Sequence, residues 1–424
     1  MTDPGRKRRL AAATLDAWLS RRQLIGGMAV AGLAAPSVAR NRIAPGDRWD
    51  VIVVGAGVFG AWTAWTLQRR GKRVLLVDAW GVAHNRASSG GETRLIRTEY
   101  AGNALYTRWA WESLAEWRAL DKRHDAPLFH ETGALYLYPQ DSAKIDHSIA
   151  MQQELGIPIE KIAGPALVQR WPQIDFDGIA VGVMQPTMGA LMARNAVQAL
   201  AGDFVKAGGS FRQIAIDPPR PGAAVLDAVT GSGGEALRAT QFVFACGPWL
   251  PKLFPDVVGG RIVPTRQDVF FFAPAPGDAR FGGRHLPAWV DVSSPDLHYG
   301  FPDIEARGFK IALDTHGPKF DPDGSDRRIT DQALADVRAY LARRFPDLAR
   351  RPLADSRVCQ YENTDNGHLL IDRHPRWSNA WIIGGGSGHG FKHGPAVGRY
   401  VADLALGTGK AEPDLALAAH RPHG

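Results

Sequence analysis

The chain has 424 residues of ordinary composition, with 45% hydrophobic and 22% charged residues. This length predicts roughly two or three domains with enough material for a large core. The formal net charge of +7 is misleading, because residues 1–39 hold six basic and two acidic residues, a net of +4. The remaining asymmetry is too small to indicate a nucleic-acid partner, and no basic helix with interleaved stacking aromatics follows.

The first 39 residues have the three parts of an export signal. Ser20-Arg21-Arg22-Gln23-Leu24-Ile25 opens an apolar Gly/Ala-rich segment that runs to about Ala35, and Ser37-Val38-Ala39 follows. The arginine pair predicts the twin-arginine route, the small residues suit cleavage after Ala39, and the apolar segment is too short to span a bilayer. We therefore expect the twin-arginine export machinery as a partner, periplasmic residence and no stable membrane insertion. A disordered basic arm on a cytoplasmic enzyme is the alternative.

A nucleotide-binding pattern runs from residue 50 to Asp78. Residues 51–54 form an apolar run typical of a buried parallel strand, and Gly55-Ala-Gly57-Val-Phe-Gly60 follows directly. The glycines suit a tight turn, close approach to a pyrophosphate and helix packing, while Asp78 ends a second strand where an acid can bind a ribose hydroxyl. The glycine pattern alone is weak, but strand, helix, strand and acid together predict a Rossmann-like site. NAD would suit Asp78 as well as FAD.

The remaining pattern alternates between two kinds of structure. Helices are predicted at 104–124, before 155, at 189–207, at 330–344 and at 396–406, with strands at 134–138 and near 211, a glycine-rich hairpin at 231–234 and a strand ending at 246–247. Short β-rich runs at 268–272, 288–292, 297–301 and 309–313 predict an antiparallel sheet. The fold class is therefore α/β, or α+β with two domains: a nucleotide-binding domain (48–130, 186–261 and 352–424) interleaved with an antiparallel β-sheet substrate domain (131–185 and 262–351).

A glycine-rich loop from Gly384 to Gly394 precedes the last helix and places Lys392 beside its start. The amino end of a helix favours anionic or electron-rich ligand atoms. His389 and His393 are four residues apart, but Gly390 and Pro395 make a regular helix improbable there, so we expect no metal site and interpret His389 as a hydrogen-bonding loop residue. Cys246, in the run Gln241-Phe-Val-Phe-Ala-Cys-Gly247, is interpreted as a packing residue.

Six motifs occur in the order found in monomeric sarcosine oxidase. They are the first glycine motif, Gly91-Glu-Thr-Arg-Leu-Ile-Arg97, Tyr299-Gly-Phe-Pro302 with Phe309-Lys310, Val358-Cys359-Gln-Tyr361, His368-Leu-Leu-Ile-Asp-Arg-His-Pro375 and Ser387-Gly-His-Gly-Phe-Lys392. The chain resembles that branch of the D-amino-acid-oxidase-like flavoproteins, which includes N-methyltryptophan oxidase. The resemblance covers nearly everything after residue 48.

The resemblance implies FAD as cofactor and a set of residues around it. It implies Gly55, Gly57 and Gly60 at the pyrophosphate, Asp78 at the ribose, and Arg94 against the flavin ring. It also implies a thioether from Cys359 to the flavin, for which a thiolate is the competent nucleophile. The remaining cofactor-binding residues that we assign lie in the matching motifs: Thr93, Gly388, His389, Gly390 and Lys392.

The resemblance likewise implies the substrate site. Arg97 and Lys392 would bind a substrate carboxylate. Tyr299 and Tyr361 would line the pocket, and Lys310 would activate dioxygen. A single strand cysteine is otherwise usually a core residue, paired arginines are usually a solvated face, and a strand lysine usually faces solvent. The implied enzyme is a monomeric FAD-dependent amine oxidoreductase that takes a small-molecule amine and dioxygen, and releases imine-derived aldehyde, amino acid and hydrogen peroxide.

The chain departs from the sarcosine oxidase pattern at two positions. Asp314 falls four residues after Lys310, where sarcosine oxidase has a pocket histidine, and Gly90 replaces a second histidine near the flavin. If Asp314 faces the substrate it would disfavour a second anion and favour a cationic amine; alternatively it turns away to a neighbouring arginine or water. Two other functions remain open: a flavin dehydrogenase that passes electrons to a carrier, and a flavin-binding protein without turnover.

Overall fold

The computed structural model of the protein describes residues 48–293 and 297–422. The predicted export signal, residues 1–39, lies outside these ranges. Within them, no helix is both long and apolar enough to cross a membrane. Both cysteines are free thiols.

The first sheet carries the nucleotide pattern. Its strands, in spatial order, are β17 (Leu370–Arg373), β18 (Ala380–Gly384), β11 (Ala236–Phe244), β1 (Arg48–Val54), β2 (Val74–Asp78) and β9 (Ser210–Gln213), with β10 (Ala228–Thr230) paired to β11. From β18 to β9 the neighbours are parallel, so their carboxyl ends meet at one edge of the sheet. The predicted glycine-rich hairpin is confirmed as the antiparallel pair β10–β11.

Both faces of the first sheet are covered, which explains the continuous apolar run in β1. Val51 and Val53 pack into one hydrophobic cluster, and Ile52 and Val54 pack into another on the opposite face. The first cluster includes residues of helices that cover this face: α1 (Val58–Arg69), α2 (Ala104–Asp121), α5 (Ala193–Lys206) and α8 (Gly394–Ala405). Alternating side chains of a strand point to opposite faces, so a strand with two covered faces must be apolar throughout.

The second sheet is the predicted antiparallel sheet. Its strands, in spatial order, are β16 (Leu353–Asn363), β12 (Val263–Phe272), β15 (Phe309–Leu313), β14 (His298–Phe301), β13 (Ala288–Asp291), β5 (Ala134–Tyr138), β7 (Val181–Gln185) and β6 (Glu160–Ala163). One pair, β13 with β5, is parallel, and the other pairs are antiparallel. Helix α7 (Asp331–Arg344) packs on this sheet and is capped by the Thr330 side chain, which accepts from the Ala333 N–H.

A short third sheet corrects one predicted helix. It contains β3 (Thr93–Ile96), β8 (Gly189–Met192) and β4 (Phe129–His130). Residues 189–192 were predicted as the first turn of a helix, but they pair antiparallel with β3 and are buried, and the helix begins only at residue 193. Four consecutive small or apolar residues show no period, so the pairing with a distant strand decides their structure. The other helices are α3 (Ala143–Glu154), α4 (Gly164–Arg170) and α6 (Leu250–Leu253).

The chain crosses between the first two sheets several times, as the fold-class prediction requires. Strand β16 lies in the second sheet, beside β12, although residues 352–424 were assigned to the nucleotide-binding domain. This strand carries Cys359 and Tyr361, so residues attributed to flavin binding and to substrate binding share one strand. The domain boundaries stay a prediction.

Candidate active site

The glycine loop after β1 lies against neighbouring backbone. Gly55 has a φ of 103°, and a Cβ there would collide with the carbonyl oxygen of Ala245. A Cβ on Gly60 would collide with the carbonyl oxygen of Gly55. Gly57, by contrast, precedes α1, and a Cβ there would meet only Ser89 Oγ, at 3.4 Å. The amino end of α1 therefore remains accessible to an anionic group such as a pyrophosphate.

Asp78 organises the next turn at the end of β2. Its Oδ2 accepts from the Ala56 N–H at 2.8 Å, and its Oδ1 accepts from the N–H groups of Trp80 and Gly81 at 2.9 and 3.0 Å. A carboxylate oxygen has more than one acceptor site, so these bonds leave capacity for a ribose hydroxyl. Asp78 thus joins the glycine loop to the turn after β2.

A cavity of about 350 Å³ lies at this edge of the first sheet. The predicted residues that line it are Gly55, Gly57, Asp78, Arg94, Tyr361, Gly388 and Gly390. Trp80, His84 and Trp249 line it as well, with the two indole rings 4.8 Å apart between centroids. This size and mostly apolar lining are typical of a cofactor site. The other predicted residues are not part of this lining, and several of them contact residues that are.

Arg94 and Cys359 form the first of these contacts. Arg94 Nη2 lies 3.3 Å from Cys359 Sγ, and the guanidinium also donates to the carbonyl oxygens of Thr93 and Ser88. Burial by itself raises the pKa of the Cys359 thiol, but the positive charges of Arg94 and Arg357 outweigh it, so the pKa lies below its ordinary value. This direction favours the thiolate, which is the form of cysteine that acts as a nucleophile.

The Lys310 side chain is hydrogen-bonded to Thr93, the residue that precedes Arg94 in β3. Its Nζ donates to the carbonyl oxygen of Thr93 at 2.9 Å and to Thr93 Oγ1 at 3.0 Å, and it lies 4.7 Å from the centre of the Phe301 ring. Burial first, and the charge of Arg94 second, lower the pKa of Lys310 well below its usual range. The predicted solvent-facing alternative is wrong, because Lys310 is only 3% exposed.

Arg97 and Lys392 converge on Tyr100. The Arg97 guanidinium lies 4.2 Å from the centre of the Tyr100 ring, and Lys392 Nζ donates to Tyr100 Oη at 3.0 Å and to the carbonyl oxygen of His389 at 2.7 Å. Burial and the nearby charge of Arg97 lower the pKa of Lys392 well below its usual range. Among the described residues, neither cation forms an ion pair with a carboxylate. The pair is therefore electrostatically suited to an added anion.

Asp314 contacts Tyr361, which in turn lies next to Tyr299. Tyr361 Oη donates to Asp314 Oδ1 at 2.8 Å and lies 3.4 Å from Tyr299 Oη. Burial raises the pKa of Asp314, while the hydrogen bond from Tyr361 and the charges of Arg97 and Lys392 oppose that rise. Asp314 thus accepts a hydrogen bond from a tyrosine of the pocket and forms no ion pair with an arginine of the described residues.

His389 is a hydrogen-bonding loop residue, as interpreted from the sequence. Its Nε2 lies 2.9 Å from the carbonyl oxygen of Gly367, and its Nδ1 lies 3.3 Å from Tyr100 Oη. Burial and the charge of Lys392 lower its pKa to about 3, so the ring is neutral at ordinary pH. In the ranges that the structure describes, no group of three or more His, Cys, Asp or Glu side chains is placed to hold a metal ion.

Sequence reasoning missed several residues of the site, among them Trp80, His84 and Trp249 of the cavity lining. Tyr100, which contacts both Arg97 and Lys392, lies three positions after Arg97 and was not singled out. Glu362, a buried acid that lines the cavity, follows Tyr361 directly. Cys246, interpreted as a strand packing residue, lies beyond the end of β11 and also lines the cavity.

The DAO family of FAD-dependent oxidoreductases matches residues 50–404. The chain is 31% identical over 375 residues to a monomeric sarcosine oxidase of Bacillus sp. (strain NS-129), covering 87% of this chain and 95% of that one. It is 27% identical over 365 residues to an N-methyl-L-tryptophan oxidase of Salmonella heidelberg, covering 85% and 95%. The fold is similar to that of L-proline dehydrogenase from P. horikoshii, with a TM-score of 0.76 and 20% identity over 90% of this chain and 98% of that one.

The cavity residues fit FAD. The glycine loop presents backbone without side chains where a Cβ at Gly55 or Gly60 would collide with main-chain atoms, and Asp78 borders the same cavity. Arg94 lines the same cavity and supplies a fixed positive charge there. The predicted fold class and the predicted resemblance are both confirmed by the comparisons. The chain belongs to the DAO family of FAD-dependent oxidoreductases.

Proposed function

We propose that the protein is an oxidase of secondary amines, with N-methyl or N-alkyl amino acids as substrates. The observation that carries this proposal is the pair of basic side chains, half-buried Arg97 and buried Lys392, next to a pocket wall made by Tyr299, Tyr361 and Asp314. A buried cation is costly unless an anion pairs with it. An amino-acid carboxylate would supply that anion, which would also restore the charge on Lys392.

The chain positions the amine between two charged groups. With its carboxylate on Arg97 and Lys392, a small amino acid places its nitrogen towards Tyr361 and Asp314. The Asp314 carboxylate stabilises an ammonium group as it arrives and accepts a proton from it, so that the reacting amine is neutral. FAD, when bound, supplies the two-electron oxidation of the amine to an imine. Hydrolysis of that imine gives an aldehyde and the parent amino acid.

Lys310 is proposed to favour dioxygen as the electron acceptor, with hydrogen peroxide as the product. A preorganised cation in a dry site stabilises negative charge that develops on dioxygen. Burial lowers the pKa of Lys310, and negative charge that develops on dioxygen would favour its ammonium form, with the proton taken up from solvent. A dehydrogenase that uses another acceptor is the second candidate. Anaerobic reduction with substrate, followed by admission of air, separates the two, because a dehydrogenase reoxidises slowly in air.

Covalent attachment of FAD through Cys359 is also proposed. The contact with Arg94 and the lowered pKa of the thiol support a thiolate nucleophile. Because thioether formation replaces a C–H bond of the flavin by a C–S bond, it is a two-electron oxidation, and dioxygen is the proposed acceptor. After acid precipitation, the yellow colour should stay with the protein and should pass to the supernatant for Cys359→Ser. Colour in the wild-type supernatant would reject the attachment.

The substrate proposal is tested by assaying peroxide release from a panel of N-alkyl amino acids. Each amino acid is compared with the amine of the same shape that lacks the carboxylate. Turnover of the amino acids and little turnover of the simple amines is expected. If no N-alkyl amino acid bleaches the flavin under anaerobic conditions, the proposal is wrong, and a flavin-binding protein without turnover becomes the better interpretation.

We further propose that a monomer is exported through the twin-arginine route. The Arg21–Arg22 pair and the apolar segment after it support export, and this route suits a protein that folds around its cofactor before transport. Cell fractionation should find the mature protein in the periplasm, whereas Arg21→Lys combined with Arg22→Lys should retain it in the cytoplasm. An intact amino terminus on protein found only in the cytosol would reject export.

A further inference from the structure

Glu362 is a buried acid that the proposed reaction does not use. It lies near the end of β16, three residues after Cys359, and it lines the FAD cavity while being only 6% exposed. Acidic side chains are almost never fully buried without a partner. Its position therefore calls for a ligand or a structural partner.

The protein provides hydrogen-bond partners for only one of the two oxygen atoms of this carboxyl group. N–H groups of Gly385 and Gly386 stabilise its charged form, and a Cβ on Gly386 would lie 3.1 Å from Glu362 Oε1. Glu362 Oε2, by contrast, is buried and has no hydrogen-bond partner. Across the part of the chain that the structure describes, no Lys, Arg or His forms an ion pair with it. Burial consequently raises the pKa of Glu362 to about 7.

Glu362 is connected in two directions to other residues in and beside the cofactor cavity. On one side, β16 leads back to Cys359 and Arg94, which mark the flavin-ring end. On the other side lies Gly247, where an added Cβ would be 3.6 Å from Glu362 Oε2. Burial raises the pKa of the thiol of the preceding residue, Cys246, which is also close enough for the charge of Glu362 to raise that pKa further. Cys246 Sγ in turn donates to the carbonyl oxygen of Val54, which precedes the pyrophosphate loop. The part of FAD that joins the ring to the pyrophosphate is the ribityl chain, which carries three hydroxyl groups.

We propose that Glu362 is a cofactor-binding residue whose unpaired Oε2 accepts a hydrogen bond from a ribityl hydroxyl of FAD. A hydroxyl is the donor that this part of the cofactor offers, and a carboxylate oxygen is a strong acceptor for it. The proposal rests on FAD binding and not on the oxidation of amines, so it survives if the substrate proposal fails.

The test measures FAD affinity by fluorescence quenching in the full-length Cys359→Ser protein, in which the cofactor remains exchangeable. FAD is compared with its 2′-, 3′- and 4′-deoxyribityl analogues. At a pH above the pKa of Glu362, where its carboxyl group is charged, at least one analogue should bind roughly tenfold more weakly than FAD, as expected for loss of one hydrogen bond to a charged group. If all three analogues bind as tightly as FAD, the proposal is wrong, whether or not any variant folds.

Two substitutions then assign the effect to the carboxyl group. Glu362→Leu should weaken the binding of FAD about tenfold and leave the affinity for the sensitive analogue unchanged. Glu362→Gln keeps a carbonyl acceptor, so its affinity for FAD should lie between those of the unsubstituted protein and Glu362→Leu. Glu154→Gln, an exposed glutamate on α3, serves as the matched control and should bind FAD normally. An equal loss for FAD and for every analogue in Glu362→Leu would indicate a purely structural role and would overturn the proposal.

Discussion

The pyrophosphate end and the ring end of the site are built in different ways. The pyrophosphate end comes from one stretch of 29 residues, Asp50 to Asp78, and it offers backbone N–H groups and one acid. The ring end brings together side chains from distant segments: Arg94 and Cys359 are 265 residues apart, and Lys310 and Thr93 are 217 apart. At Gly55 and Gly60 the first end leaves no room for an added Cβ, whereas the second end depends on the charge and polarity of each side chain. Substitutions at the first end should therefore reduce FAD binding and stability, whereas substitutions at the second end should change rates and substrate binding.

The most general effect, a loss of bound cofactor together with a loss of stability, is expected at the pyrophosphate end. Gly60→Ala places a Cβ against the carbonyl oxygen of Gly55, so the loop must move. We expect FAD content to fall at least about tenfold and unfolding to begin at lower temperature, since overpacking against fixed backbone typically costs about 1–3 kcal/mol or more. Flavin absorbance per protein and thermal unfolding measure both effects.

Gly202→Ala is the matched control for that prediction. Gly202 lies inside α5, and an added Cβ there meets no atom within 4 Å. Alanine in a helix interior is more favourable than glycine by roughly 0.5–1 kcal/mol, so this variant should keep its FAD and gain stability. Equal FAD content in the two variants would show that the glycine loop does not determine cofactor binding.

The second prediction concerns a charge at the ring end. Lys310→Met keeps the length of the side chain but removes the cation, so reoxidation of reduced flavin by dioxygen should slow by about 10²–10³-fold. Reduction of the flavin by substrate should change much less, because Lys310 contacts Thr93 rather than the cations of the substrate site. Stopped-flow measurement of the two half-reactions separates these rates.

Lys206→Met, an exposed lysine at the end of α5, is the control for that measurement and should leave both rates unchanged. Slow flavin reduction with unaltered reoxidation in Lys310→Met would reverse the assignment and place Lys310 in substrate binding. FAD content should remain normal in both lysine variants, in contrast to Gly60→Ala.

The third prediction separates substrate binding from cofactor binding. Arg97→Met removes one of the two cations next to Tyr100, and KM for an N-alkyl amino acid should rise about 10–100-fold, as expected when a hydrogen-bonded charge pair loses one member. Turnover of the matching amine without a carboxylate should hardly change. Arg108→Met, an exposed arginine on α2, is the control. A similar loss for both substrates would contradict the carboxylate-binding role.

The sequence predicted the pyrophosphate end better than the ring end. The pyrophosphate end is contiguous, so the spacing of the glycines and the position of Asp78 were readable without any knowledge of the fold. The ring end depends on tertiary pairing: nothing local places Lys310 beside Thr93, and its role was available only through the resemblance. The helix predicted over residues 189–192 was wrong for a related reason. These residues show no hydrophobic periodicity, and their pairing with β3 decides their structure. Glu362 was missed because a single acid in a strand usually faces solvent.

The smallest effect is expected at Asp314, which tunes the pocket without forming an ion pair. Asp314→Asn keeps an acceptor for the Tyr361 hydroxyl, so the pocket should retain its shape and its FAD while losing a negative charge. We expect the ratio of kcat/KM between cationic amines and amino acids carrying a second carboxylate to fall by about 3–10-fold, because the buried carboxylate no longer repels the extra anion. The control is Asp125→Asn, an exposed aspartate after α2, which should leave the ratio unaltered. The same substrate profile in Asp314→Asn and wild type would remove Asp314 from the pocket and leave Arg97 and Lys392 as the determinants of specificity.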